Sequence, residues 1–299
     1  MRIGIVSIQK NRAPWLQEWV AFHHLVGVER FYVYAHNCSD GSEQVLQTLA
    51  GAYPLQAFSV RTNEDRIQLK VYQHALEQFG HECDWLAFID GDEFLLPMAQ
   101  GTLAEALAPY EHRRVSAIGV YWACYGSSGH VREPAGLVTR NYRHRAAPGW
   151  DVDRHVKSIV RGRQATRVGS NAHTFVTPWG TEDELGRPIG FGWTEHEPSY
   201  QRLRLNHYVT QSLQHFRQLK QRSGAADAGA AHVRPDDWWP RHDRNEQRDD
   251  TMARWDEALG REIARLAHLP LPAPGVLALA DGLVLPEPVA PAMPEGATA

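Results

Sequence analysis

The residues best placed to do chemistry are two aspartates, Asp90 and Asp92, separated by Gly91 at the end of the apolar run Trp85-Leu86-Ala87-Phe88-Ile89. On an extended backbone, residues two apart project to the same side. Asp90 and Asp92 can therefore share one hard divalent cation, completed by water and by the phosphates of a ligand. Gly91 leaves room for those phosphates to approach the backbone. A bare Asp-x-Asp would be an acidic turn and nothing more. What raises this one above that is its setting, between an apolar strand and a second apolar pair, Phe94-Leu95.

The preceding elements must deliver this turn to a common edge. Residues 2–8 read as a buried strand. Pro14 opens a helix whose inner face carries Trp15, Leu16, Trp19, Val20 and His23, and Gly27 closes it. Residues 30–35 form a second strand, 43–49 a helix and 55–60 a third strand. Asn63 is placed to cap a helix bearing Ile67, Val71, Ala75, Leu76 and Phe79, and the fourth strand, 85–89, runs into Asp90. This alternation predicts an α/β fold with a mostly parallel sheet flanked by helices. Ligands of such sheets bind beyond the carboxyl ends of the strands. Lys10-Asn11, the 37–40 loop and the 90–93 turn each follow a strand, so all three are expected along one edge. Beyond residue 110 the pattern loosens. Strands are expected at 115–121, 157–160, 173–176 and 202–205, the last with one face outward; 122–129 reads as a loop, 213–222 as a helix, and Asp236-Asp237 as a cap before Trp238.

Several stretches, in chain order, resemble glycosyltransferase family 92 and its bacterial family 2-like relatives. They are Lys10-Asn11 with Glu18-Trp19 and His23, then residues 37–42, and the Asp90-Gly91-Asp92 strand end itself. Tyr125 to His130, Asn206-His207-Tyr208, and Asp243 to Glu246 with Asp249 follow. The resemblance spans about residues 1–255 and implies a GT-A-type fold, a nucleotide-sugar donor (a UDP-sugar favoured), a divalent cation (manganese before magnesium) and inverting transfer to a glycan or other hydroxyl acceptor. It places Lys10, Asn11, Asn37, Asp40, Gln68, Asp90 and Lys157 on the donor side, with Lys157 meeting the diphosphate as a point charge. His207 would join Asp90 and Asp92 at the cation. Ser127, Ser128, His130 and His173 would lie on the acceptor side, where Trp122, Trp150, Trp179 and Trp193 could stack on sugars. A general base is needed there; Asp151, Asp153, Glu195 and Glu197 all fall in the right part of the chain, and the choice among them stays open. This sequence departs from the resemblance at Ala35-His36, where relatives often carry Asp, and at Arg12, where they often carry Glu. Both positions concern contacts to the nucleoside.

Composition narrows the classes. The 299 residues are 43% hydrophobic and 22% charged with a net charge of -4, which speaks against a general nucleic-acid binder. Three scattered cysteines without a Cys-x-x-Cys pair suit reduced thiols in the cytoplasm, free or at a membrane surface. The opening apolar run is too short for a signal peptide, and no stretch reaches the ~20 apolar residues of a membrane span. The expected organisation is a nucleotide-sugar-binding half at 1–110, an acceptor-side half of the same catalytic domain at 111–269, and a Pro/Ala-rich tail at 270–299 that buries little core and carries a hairpin signal at Asp281-Gly282. Two other functions use the same features. A metal-dependent nucleotidyl or phosphoryl transferase would favour a Gly-rich phosphate loop, which residues 10–14 do not supply. A non-catalytic carbohydrate-binding protein would not need paired carboxylates on a buried strand.

Overall fold

A computed structural model describes residues 1–99, 101–222, 232–269, 277–280 and 283. The elements of the first half are β1 (Ile3–Gln9), α1 (Ala13–Leu25), β2 (Arg30–His36), α2 (Ser42–Ala50), β3 (Leu55–Val60), α3 (Ile67–Phe79), β4 (Trp85–Phe88), β5 (Glu93–Pro97) and α4 (Leu103–Leu107). There follow β6 (Ala117–Cys124), α5 (Val138–Asn141), β7 (His144–Arg145), β8 (Val156–Arg161), β9 (Arg167–Val168), β10 (Phe175–Val176), β11 (Thr181–Glu182), β12 (Pro188–Ile189) and β13 (Leu203–His207). The chain continues through α6 (Leu213–His215), α7 (Trp238–His242), β14 (Gln247–Arg248), α8 (Asp256–Ala267) and β15 (Ala278–Leu279).

The central sheet runs β12-β11-β6-β8-β4-β1-β2-β3-β15, with β13 joined to both β6 and β5. Its first half, β3-β2-β1-β4, is parallel, as strand-helix alternation requires. All seven residues of β1 are buried, which is why it reads as a continuous apolar run rather than an alternating one. One core lies under α1, α2 and α8, and a second under α3 on the opposite face. Antiparallel β8 then inserts between β4 and β6, which turns the sheet from parallel to mixed and carries Lys157 to the end of β4.

Several local expectations change. The third helix begins at Ile67 behind Arg66, which adopts the left-handed conformation (φ 57°). Asn63 does not cap it, because its Oδ1 accepts the Asn37 side-chain amide instead. Strand β6 runs on through Trp122, Ala123 and Cys124, residues expected in a loop. Strand β13 extends to His207, and none of its five residues faces solvent. Its polar members Arg204 and Asn206 turn inward because the chain around Asp249 covers them. The Arg204 guanidinium donates to Asn206 Oδ1 at 2.7 Å, to Tyr125 Oη at 3.0 Å and to Asp249 at 2.9 Å. Arg145 reaches the same carboxylate at 2.8 Å. Asp237 precedes α7 without a side-chain cap. In the tail, β15 pairs in parallel with β3 and Leu277 is buried in the main core, so this part of the tail does bury apolar surface. The Asp281-Gly282 turn and residues 223–231 fall outside the described residues.

The Asp249 carboxylate is the shared acceptor of two buried arginines. Asp249→Ala strands both guanidinium groups and is expected to cost about 3–5 kcal/mol. Chemical denaturation of variant and wild type checks this value, and a loss below about 1 kcal/mol would show that the triad does not hold β13 in place.

Candidate functional site

The ends of β1 and β4 open onto a cavity of about 790 Å³, within the range of small-molecule sites. Among its lining residues are Lys10, Asn11, Gln68, Asp90, Asp92 and Lys157, together with His173 and His207. Residues more than a hundred positions apart meet there because β13 lies antiparallel to β5 with His207 opposite Glu93. The same strand lies parallel to β6 with His207 opposite Cys124.

Both carboxylates are held by protein cations. Asp90 Oδ2 accepts from Lys157 Nζ at 2.9 Å, and Oδ1 accepts from Gln68 at 2.7 Å and Tyr72 at 3.4 Å. Asp92 Oδ2 accepts from Lys220 Nζ at 2.7 Å, and its Oδ1 lies 3.6 Å from His207 Nε2. Burial is the largest influence on both aspartates and opposes their ionisation, but the combined attractions and hydrogen bonds, led by Lys157 at Asp90 and by Lys220 and His207 at Asp92, hold both below the usual carboxylate range. Glu93 lies beneath them, fully buried; its Oε2 accepts the Asp90 amide at 2.7 Å, fixing the turn. Arg12 donates to the Gly91 carbonyl at 3.1 Å and to Gln211 at 2.9 Å. A Cβ on Gly91 would stand 2.6 Å from Gln9 Oε1, so this glycine admits a glutamine side chain against the acidic turn.

The charge balance of the cavity is positive. Lys10, Arg12, Lys157, Lys220, Arg222 and Arg234 line it against two carboxylates, Asp90 and Asp92. Burial lowers the pKa of His207 against the pull of Asp92; it holds His173 at about 3 and His215 at about 2, with neighbouring cations adding to the effect at these two, so the latter two rings are neutral. A cleft with this excess of fixed cations favours a polyanionic ligand.

Among the described residues, no three His, Cys, Asp or Glu side chains converge as a ready-made metal cage. The donor set instead suits a cation of the magnesium or manganese kind, which takes one or two carboxylates and completes its shell with substrate phosphates and water. Asp90 and Asp92 are the ligands on offer, with His207 beside Asp92.

Other expected site residues lie elsewhere. Asn37 donates to the Thr62 carbonyl at 2.7 Å, and Asp40 accepts the Ala13 amide at 2.9 Å at the start of α1. Both organise the loops behind the cavity rather than line it. Ser127 and Ser128 are tied to Asp243 and Asn245, and His130 Nε2 lies 3.2 Å from the Asn141 carbonyl, so that loop is locked to the 243–245 segment. Asp151, Glu195 and Glu197 are exposed and outside the cavity. Asp153 is buried, accepting the Cys124 amide at 2.9 Å. Of the four tryptophans expected to meet a sugar, Trp122 lines the cavity; Trp150, Trp179 and Trp193 do not. The sequence signals missed Lys220, His155, His215 and Trp238. Lys220 belongs to a π-helical turn, Phe216–Lys220, that continues α6. Such turns recur at functional sites, but nothing in the local pattern marks one.

A family model described as glycosyltransferase family 92 matches residues 6–248. A family 92 protein of Oryza sativa subsp. japonica is 33% identical over 166 residues, covering 52% of this chain and 26% of its own length. Another from Arabidopsis thaliana is 30% identical over 164 residues, covering 50% of this chain and 27% of its own. The chain thus spans about a quarter of the length of these relatives. Among solved structures, S. aureus TarS in complex with UDP aligns at a TM-score of 0.35 and 16% identity, covering 54% of this chain and 47% of that one. Glucosyl-3-phosphoglycerate synthase from Mycobacterium tuberculosis, in complex with Mn2+, UDP-glucose and phosphoglyceric acid, aligns at 0.28 and 15%, covering 40% and 44%.

The position of Asp153 yields a test of its role. Burial pushes its carboxyl up to about 6, against the pull of the Cys124 amide and thiol. A raised folded-state pKa gives stability that is complete below the ordinary carboxyl value near 3.8 and lost as pH rises through about 6. Asp153→Asn keeps an oxygen for the Cys124 amide and removes the charge. It should be more stable than wild type above pH 6, by up to about 3 kcal/mol, with this pH dependence gone. Urea unfolding across that range measures it; a variant less stable at neutral pH would show that the buried carboxylate is favourable as an anion.

Proposed function

The chain belongs to glycosyltransferase family 92, and we propose that its cavity binds a nucleotide-sugar, a UDP-sugar foremost, and passes the sugar with inversion to a hydroxyl acceptor such as a glycan. The observation that carries this proposal is the acidic turn at the end of a buried parallel strand, set inside a cavity whose fixed charge is otherwise cationic. A neutral ligand would not require that combination, whereas a sugar diphosphate does.

In this reading, Asp90 and Asp92 would hold a divalent cation, which would supply neutralisation of the departing nucleotide. Lys157 keeps Asp90 ionised and oriented, and Lys220 does the same for Asp92. Both ammonium groups stand within the cavity and add positive charge where the leaving group gains negative charge. Arg12 fixes the Gly91 carbonyl and thereby the turn. Trp122 offers its ring to the sugar, with His207 4.4 Å away by ring centroids.

Turnover provides the test. Screening UDP-, GDP- and CDP-sugars for slow hydrolysis in manganese should reveal one donor class. Asp92→Asn should then lower that rate about a thousandfold or more while the protein stays folded. Excess EDTA should act in the same direction. Undiminished hydrolysis in the variant or in EDTA would exclude the metal-dependent mechanism.

A further inference from the structure

Inverting transfer needs a group that takes the acceptor's proton on the side away from the diphosphate. Among the described residues, Asp90 and Asp92 are the only carboxylates lining the cavity, and both are committed to the donor side. The acidic candidates from the acceptor half lie outside it. The remaining bases in the cavity are imidazoles.

We propose that His155 is the general base of the transfer. It follows the turn Asp151–Arg154 and immediately precedes β8. Its backbone is fixed twice: its amide donates to the Val152 carbonyl at 3.2 Å, and its carbonyl accepts the Trp122 amide at 3.0 Å. The ring is fixed as well. Nδ1 lies 2.9 Å from the Val152 carbonyl oxygen, a partner that can only accept. Nδ1 therefore carries the proton, and Nε2 keeps its lone pair. Among the described residues, the hydrogen bonding of this ring is confined to Nδ1. The imidazole stacks on Trp122 at 4.9 Å and 21°. Trp122 in turn contacts His207, the neighbour of Asp92. One indole thus contacts both the base and the imidazole beside Asp92.

The other imidazoles fit less well. Of those lining the cavity, His215 is held at about 2 by burial, His232 is exposed, and His242, with Nδ1 2.8 Å from the Trp238 carbonyl, stacks on Trp238 rather than on Trp122. His207 faces Asp92 at the donor end. His173 has the same tautomer, with Nδ1 2.7 Å from the Val156 carbonyl, but burial and Lys157 hold it at about 3, too weak a base to take a hydroxyl proton. His155 is less buried; burial and Lys157 lower it while the Val152 bond raises it, so the ring is neutral near pH 7. Among the described residues, the charged and titratable groups facing it are Lys157 on β8 and His173 from the 169–174 segment.

In the transfer, the acceptor hydroxyl oxygen bonds to the anomeric carbon as its proton moves to His155 Nε2. The bond from that carbon to the diphosphate oxygen breaks, and its electron pair leaves with the nucleotide. The imidazolium then returns the proton to solvent.

This inference rests on the inverting transfer proposed above, and water can stand in for the acceptor in its test. With the full chain, UDP affinity and UDP-sugar hydrolysis are measured for wild type, His155→Gln and His173→Gln. His155→Gln should lose about a hundredfold in hydrolysis and keep UDP affinity within about twofold. Added imidazole should restore part of the rate to His155→Ala, which a merely structural role would not allow. Where the Gln variant does not fold, His155→Asn, which can keep the bond to the Val152 carbonyl, takes its place. Hydrolysis by His155→Gln within about twofold of wild type, a parallel loss of UDP affinity, or a loss confined to His173→Gln would overturn the assignment. A wild-type chain that binds no UDP and hydrolyses no nucleotide-sugar would instead reject the glycosyl-transfer reading itself.

Discussion

Everything at the site depends on keeping two neighbouring carboxylates charged in a place that disfavours charge. Asp90 and Asp92 sit two residues apart and repel each other, and burial adds to the cost of ionising them. The protein answers with two ammonium groups from distant parts of the chain, Lys157 on β8 and Lys220 after α6. Removing one partner of such a buried pair leaves an uncompensated charge, which costs far more than the pair contributes when intact. The fold is thus committed to bringing β8 and the chain after β13 to the end of β4. Antiparallel β8 beside β4, and β13 bridging β5 and β6, are the means by which it does so.

Much of the first half is legible in the sequence because its signals are local. Strands β1 to β4 each begin and end with ordinary punctuation, and Pro14 and Gly27 bracket α1. Strand-helix alternation alone then brings Lys10, Asn11 and Asp90 to one edge, beyond the carboxyl ends of parallel strands. The second half is harder for a physical reason. Its strands are short, and what decides their place is pairing over long sequence separations. Strand β13 alternates in type, which reads as one face outward, yet the Arg145-Asp249-Arg204 triad satisfies its polar side chains inside the protein. No local pattern reports a partner forty-five residues away.

The site is divided in the same way. Asn37, Asp40, Ser127, Ser128 and His130 look like ligand contacts because they are polar residues in loops. In the structure their hydrogen bonds are spent on neighbouring loops. Lys220 and His155 carry no such advertisement, and their importance appears only when Asp92 and Trp122 are placed against them. Arg12, a departure from the resembling sequences, donates to the Gly91 carbonyl, so a change at that position alters the support of the acidic turn directly.

The central claim is that one cavity takes a nucleoside diphosphate and a divalent cation together, through Asp90 and Asp92. Thermodynamic linkage makes this measurable without knowing sugar or acceptor, since two ligands that share contacts must each tighten the other by the same factor. Calorimetric titration of UDP with and without manganese, and of manganese with and without UDP, closes that cycle. The account predicts mutual tightening of about tenfold or more, on the order of 1.4 kcal/mol of coupling. UDP binding indifferent to manganese, or no UDP binding at all, would contradict it.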